Sequence, residues 1–487
     1  MRSARRTALA GCTAAAAVAA LVGLAPASSA DTTGPDTSYL VLAPAGQSTA
    51  LAAGRVATAG GSVVAAYDQI GVLVARSTNP SFAAAVAGQG VESVASTAGL
   101  GTAVDTTETV EADAPAAAGD PTGEPLWAQQ WDMRQIDLAQ AHAITTGRPD
   151  VVVGVLDSGI SSTHPDLATQ IDKSRSASCL GGAVDTREAS WNPTTSDHGT
   201  HVAGTIAAAV NGVGVTGVAP GARVASVKVV TDAGFIYPEA AVCGFLWAAE
   251  QGMQVTNNSY FIDPWQFNCR NDERQRPVWQ AVQRAIRYSQ SRGVLHFSSA
   301  GNINADVQHP AVDSGSPNDG SAPVETRELT NACLVLPAEA PGVMAVSAVG
   351  TERLKSYFSS YGLGVVDVAA PGGDSRQPNP SVSTPANTIL STTFNTVTRT
   401  NGWGYKQGTS MASPHAAGVA ALALSAHPGL QPGALAALVE GTAVPLPCPA
   451  GVYNPRPGFD QYLAECTGGA RTSFYGAGEV NAYNAVS

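Results

Sequence analysis

Between residues 151 and 299, runs of strand length alternate with stretches of helical period. Residues 151–156, 223–230, 254–259 and 294–299 read as strands; an apolar helix is expected from residue 198, and others over 239–250 and 278–291. Strands without a polar face are buried on both sides, and parallel neighbours need helix-length crossovers between them. The pattern therefore predicts an α/β fold of three layers, a doubly wound, mainly parallel sheet with helices on both faces, whose ligands sit at the carboxyl ends of the strands. A further helix is expected over 416–424, with Pro414 in its first turn and His427-Pro428 as its stop.

The N-terminal part follows a different rhythm. Residues 38–100 read strand, helix, strand, strand, helix, strand, with outer strands at 39–42 and 91–94 and a central pair at 62–67 and 71–75. This predicts a small α+β unit. Residues 110–124, rich in Ala, Pro, Gly and acids, have no apolar period and read as a linker. At the start, Arg2, Arg5 and Arg6 precede an apolar run over 13–24 and small residues ending at Ala30, the layout of an export signal. The expected division is 1–30 signal peptide, 31–109 small α+β unit, 110–125 linker and processing region, and 126–487 main domain, with a secreted product.

No later stretch has the roughly 20 consecutive apolar residues of a membrane span, so no membrane is expected in the mature form. A net charge of −12 with 13% charged residues argues against nucleic acid and anionic membrane partners, which need concentrated Lys and Arg. A monomer is expected.

Three blocks carry chemistry. Residues 151–160, VVVGVLDSGI, deliver Asp157 at the end of a buried strand; residues 197–205, DHGTHVAGT, put His198 at the head of a helix; residues 408–415, GTSMASPH, put Ser410 at the head of another. Unpaired backbone N–H groups and the helix dipole at Ser410 suit an oxyanion. In this order the blocks resemble those of the subtilases, the subtilisin-like serine proteases, in which Asp, His and Ser occur in that sequence. An α/β-hydrolase order is excluded, because no His follows His427 and Asp460 lies beyond it.

The resemblance implies an endopeptidase acting on polypeptides. Ser410 would be the nucleophile, His198 the general base and acid, and Asp157 the carboxylate that orients the histidine. Asn302, in Ser299-Ala300-Gly301-Asn302, would donate to the oxyanion. Substrate main chain would lie along Gly234, Phe235 and Ile236 and along Ser259, Tyr260 and Phe261, with Ala300 and Gly301 beside it. Subtilases commonly have glycine where Phe261 stands, so a preference for small or medium side chains before the cut is expected. The small N-terminal unit would be an inhibitory propeptide, the chain's own intramolecular partner, with maturation between Val110 and Trp127. No cofactor is expected for catalysis; a structural calcium ion would sit at Asp166 and Asn211, with carbonyls of Ala209, Val213 and Val215 and with Gln129 or Gln130. His201 and His415 read as packed helix residues. The rival functions are a catalytically silent binding protein of the same fold and an exported esterase with the same triad.

With Cys12 in the signal, six cysteines remain, an even number in an exported chain. Cys448 and Cys466 bracket a polar loop whose closure would stabilise by about 3 kcal/mol. Cys269 with Cys333 would tie two loops beside the cleft, and Cys179 with Cys243 follows by exclusion. Cys243 alternatively reads as a buried thiol in a helix.

Overall fold

The computed structural model describes residues 34–97, 123–318 and 323–487. The expected export signal, and the linker up to residue 122, lie outside the described residues. The small unit runs β1 (Thr37–Leu42), α1 (Ala50–Thr58), β2 (Gly61–Tyr67), β3 (Val72–Ser77), α2 (Phe82–Val86) and β4 (Ser93–Ser96). Its antiparallel sheet has the order β2-β3-β1-β4. β1 is thus internal and β2 an edge, the reverse of their expected places. Burial explains this: Leu40, Val41 and Leu42 are apolar in succession and fully buried, whereas Val63 and Val64 of β2 remain 40% and 38% exposed. Tyr39 and Val41 pack on the unit's own helices, while Leu40 and Leu42 face the larger domain, so β1 fills both surfaces of the sheet.

The larger domain opens with α3 (Trp131–Gln135), α4 (Leu138–His142), β5 (Val152–Asp157), β6 (Ala177–Ser178), α5 (Glu188–Trp191), α6 (His198–Ala207), β7 (Arg223–Lys228), α7 (Pro238–Glu250) and β8 (Val255–Asn258). β9 (Asn268–Cys269), α8 (Arg276–Ser291), β10 (Leu295–Ser299), β11 (Val312–Ser316), β12 (Glu325–Glu328), β13 (Cys333–Leu334), β14 (Val343–Val349) and β15 (Val366–Pro371) follow. The chain ends through β16 (Ile389–Asn395), β17 (Thr400–Lys406), α9 (Thr409–Ala426), α10 (Pro432–Gly441) and α11 (Ala482–Val486). Seven parallel strands form one sheet in the order β15-β14-β10-β8-β5-β7-β6.

Alternate residues of the interior strand β5 serve opposite layers. Val153 and Val155 join α6 and α9 in one core, and Val152 and Leu156 join α7 and α8 in the other. The three layers expected from the pattern are present. The small unit covers α7 and α8 from outside: Tyr67 donates to the Gly182 carbonyl at 2.7 Å, Arg284 pairs with Glu92 at 2.8 Å, and Gln69 donates to Glu250 at 2.7 Å. No helix among the described residues is long and apolar enough to cross a membrane. Disulfides join Cys179 to Cys243, Cys269 to Cys333 and Cys448 to Cys466.

α9 begins at Thr409, so Pro414 lies in its second turn rather than its first. A proline there has no N–H for the carbonyl four residues back, that of Ser410. The Ser259 hydroxyl supplies the missing donor, 2.9 Å from the Ser410 carbonyl oxygen.

Candidate active site

Asp157 is the last residue of β5 and His198 the first of α6. Their side chains are buried, and the His198 Nδ1 lies 2.9 and 3.0 Å from the two Asp157 carboxylate oxygens. The Ser158 N–H donates to the same carboxylate at 2.7 Å. The close approach of α6 to β5 needs a residue without a side chain after the histidine: a Cβ on Gly199 would lie 2.6 Å from the Gly159 carbonyl and 3.0 Å from the Asp157 Cβ. With Nδ1 committed to the carboxylate, Nε2 is buried and without a hydrogen-bond partner among the described residues. Ser410 is the second residue of α9, and its hydroxyl donates to the Ser259 carbonyl at 3.3 Å.

Asn302 follows β10. Its Oδ1 accepts from the Thr409 backbone N–H at 2.9 Å and from the Thr409 hydroxyl at 2.8 Å. The amide is thereby oriented, with Nδ2 as its remaining end. Nδ2 of Asn302 and the Ser410 backbone nitrogen lie 3.5 and 3.6 Å from the place a Cβ on Gly408 would occupy. Gly408, at φ +151°, leaves that space empty, and two N–H donors border it.

The other expected residues divide. Ala300 is buried and its N–H is taken by Val346, and the Gly301 carbonyl accepts from Ser360. Both backbone groups of Phe235 pair with Thr231, and those of Ile236 with Asp263; Gly234 closes the same turn through its N–H to Thr231. Ser259 exchanges hydrogen bonds with Ser410, and Tyr260 is buried with its hydroxyl on Asn258 at 3.1 Å. Burial first, with the charge of Asp157 adding, pushes the Tyr260 phenol well above its ordinary value. Phe261 is half-buried against the cluster around the Cys269–Cys333 bridge.

At the expected calcium loop, Asp166 Oδ2 accepts from the Trp403 indole at 2.7 Å and the Val215 N–H at 3.2 Å, and Asn211 Nδ2 lies 3.4 Å from Asp166 Oδ1. Gln130 is engaged by both backbone groups of Thr216, and Gln129 accepts from Tyr405. Glu124, fully buried, accepts from the N–H groups of Asn211 at 2.6 Å and Gly212 at 2.9 Å. Desolvation first, with the Glu124 charge among the smaller contributions, pushes the Asp166 carboxyl up to about 6. Two buried carboxylates, an amide and a loop of carbonyls fit a hard cation in donor type. Among the described residues no group of three or more His, Cys, Asp or Glu is arranged for a metal.

His201 is buried with Nε2 3.1 Å from the Ile389 carbonyl and 3.2 Å from that of Gly404, and burial above all pushes its ring well below its ordinary value. His415 bridges the Met411 carbonyl at 2.8 Å and Asp132 at 2.9 Å inside the core. Both are packing residues. The sequence reading missed Thr409, Glu124 and the Asp132 partner of His415. Thr409 carries a signal only in hindsight, because its partner lies 107 residues away.

A profile of the subtilase family matches residues 148–478. Fervidolysin of Fervidobacterium pennivorans is 30% identical over 340 residues, 66% of this chain and 41% of its own, so the match spans less than half of that relative. Subtilisin DY of Bacillus licheniformis is 32% identical over 297 residues, 61% of this chain and 85% of its own. Among solved structures, a protease of Pseudoalteromonas arctica superposes with a TM-score of 0.55 at 28% identity, covering 75% of this chain and 98% of its own. The epidermin leader peptide processing serine protease of Staphylococcus aureus shares the fold, with a TM-score of 0.67 at 20% identity over 93% of this chain and 98% of its own. With the family profile covering more than half of the chain, and the sheet, helices and blocks described above, the chain belongs to the subtilase family of serine endopeptidases.

Proposed function

We propose that the chain is exported as a zymogen and cleaves polypeptides with Asp157, His198 and Ser410 as its catalytic triad. The observations that carry this reading are the approach of Asn302 Nδ2 and the Ser410 backbone nitrogen to one place at Gly408 and the buried Asp157–His198 hydrogen bond. The Ser410 hydroxyl leaves the Ser259 carbonyl, gives its proton to His198 Nε2 and attacks the scissile carbonyl. The developing oxyanion takes the two N–H donors, and Asp157 stabilises the imidazolium. His198 then returns the proton to the leaving amine, and water releases the acyl group by the same steps in reverse.

The small unit serves as the propeptide, a reading supported by its packing on α7 and α8. Glu124 is buried in the larger domain, so the maturation cut falls after Val110 and ahead of Glu124. Calcium is held by Asp166, Asn211 and Glu124 with carbonyls of the 209–215 loop, and supplies charge balance for two buried carboxylates without entering the chemistry. Labelling by a fluorophosphonate that disappears in Ser410→Ala, together with cleavage of a mixed peptide library, tests the central claim. An unlabelled wild-type protein that cleaves nothing overturns it, and turnover of esters without peptides points to an esterase instead.

A further inference from the structure

Asp197 and Lys406 form an ion pair at 2.9 Å, with side chains only 19% and 6% exposed. Asp197 immediately precedes His198, and Lys406 ends β17 four residues before Ser410. The other carboxylate oxygen of Asp197 accepts from the Phe394 N–H of β16 at 3.2 Å. β16 and β17 form a hairpin that also takes α6 along its length: Thr392 donates to the Thr200 carbonyl at 2.7 Å and Ser391 to that of His201 at 2.8 Å. The strand that leads into the serine helix is therefore bonded to the start of the histidine helix. An apolar pair of similar volume would hold such a site together as well or better, because burying two charges costs desolvation. Stability alone does not account for the pair.

Resting on the assignment of Asp157, His198 and Ser410 as the triad, we propose that Asp197 and Lys406 are a positioning pair that fixes the start of α6, and with it His198, relative to Ser410. Asp157 on β5 holds the histidine from the other side. Farther along the 192–196 segment, Lys228 bonds to Thr194 and Asp232, and Arg399 donates to the Pro193 carbonyl. These remain in place when the pair is altered.

The test is kcat and KM on a peptide substrate for wild type, Asp197→Asn, Lys406→Met, Lys406→Arg and the Asp197→Asn/Lys406→Met double variant, each checked for a native circular dichroism spectrum. Lys406→Gln replaces Lys406→Met if the latter does not fold. Each single variant that breaks the pair loses about 10- to 100-fold in kcat through misplacement, with KM changed much less. The double variant loses no more than either single variant, and Lys406→Arg restores kcat. Natively folded single variants with wild-type kcat, or a loss carried by KM with kcat unchanged, overturn the proposal. An inactive wild type, or activity surviving in Ser410→Ala, overturns the triad assignment instead.

Discussion

Thr409 holds Asn302 by two hydrogen bonds to one oxygen, from its backbone N–H at 2.9 Å and its hydroxyl at 2.8 Å. An asparagine amide has two ends of similar shape, and only the nitrogen end stabilises an oxyanion. Thr409 decides which end is spent. Asn302→Ala is expected to lower kcat by about 100- to 1,000-fold with KM little changed. Thr409→Val keeps the backbone donor and loses the hydroxyl, so a smaller fall in kcat, about tenfold, is expected, with Thr409→Ser near wild type. Steady-state kinetics on one peptide checks all three.

The grip of the small unit depends on pH through Glu239. This residue, in the first turn of α7, is 3% exposed, and desolvation pushes its carboxyl up to about 7, with Thr97 and Arg76 of the small unit pulling the other way. Separation of the two units returns the carboxyl toward an ordinary Glu value. The bound state then holds more protons than the free state between the two values, so association weakens as pH rises from about 4.5 to 7 and is strongest below that window. With Ser410→Ala protein nicked in the linker by a second protease, the small unit should co-elute with the larger one at pH 5 and separate more readily at pH 8. The affinity should fall by about ten- to a hundredfold over the window, and Glu239→Gln should abolish most of that change.

The layers and the three chemical blocks were legible because they are local. A buried parallel strand such as β5 must be apolar on both faces, and Asp157, His198 and Ser410 each sit where such an element ends or begins. Order within the small sheet was not legible, since β1 and β2 are both apolar and only the larger domain behind Leu40 and Leu42 makes β1 internal. The Asn302 orientation, the Glu124 contact and the Asp197–Lys406 pair join residues 87 to 209 positions apart. No periodicity spans such distances. Gln129 and Gln130 could be placed near the 209–215 loop from the sequence, but not their hydrogen bonds to Tyr405, 276 residues away, and to Thr216, 86 residues away.

Phe261 should limit the residue before the cut. It follows the Ser259 carbonyl that holds the Ser410 hydroxyl, and it leans on the cluster braced by the Cys269–Cys333 bridge. Phe261→Gly removes a large ring from a braced wall. A library profile is expected to shift from small and medium residues toward Phe and Tyr, with kcat/KM for the aromatic substrates rising by about 10- to 200-fold, the range that apolar pocket contacts provide. A wild-type profile already dominated by aromatic residues would remove Phe261 from this role.

Calcium, if held at Asp166, Asn211 and Glu124, has an effect that does not involve turnover. The two carboxylates are buried together, and a cation bound to the folded state alone adds about 2.7 kcal/mol of stability at a hundred times its dissociation constant. In a domain of about 360 residues that corresponds to a melting temperature higher by roughly 3 to 4 °C. Ser410→Ala protein, which cannot digest itself, should lose this increment in EDTA and regain it with calcium but not with magnesium, whose smaller shell demands stricter geometry. Glu124→Gln removes one of the two charges while keeping an oxygen in place. It should raise the calcium concentration needed for the same melting temperature, and it lowers the cost of the empty site, so the difference between EDTA and calcium should shrink. Equal melting temperatures with and without calcium in the parent protein would mean that the N–H groups of Trp403, Val215, Asn211 and Gly212 already suffice to hold the loop.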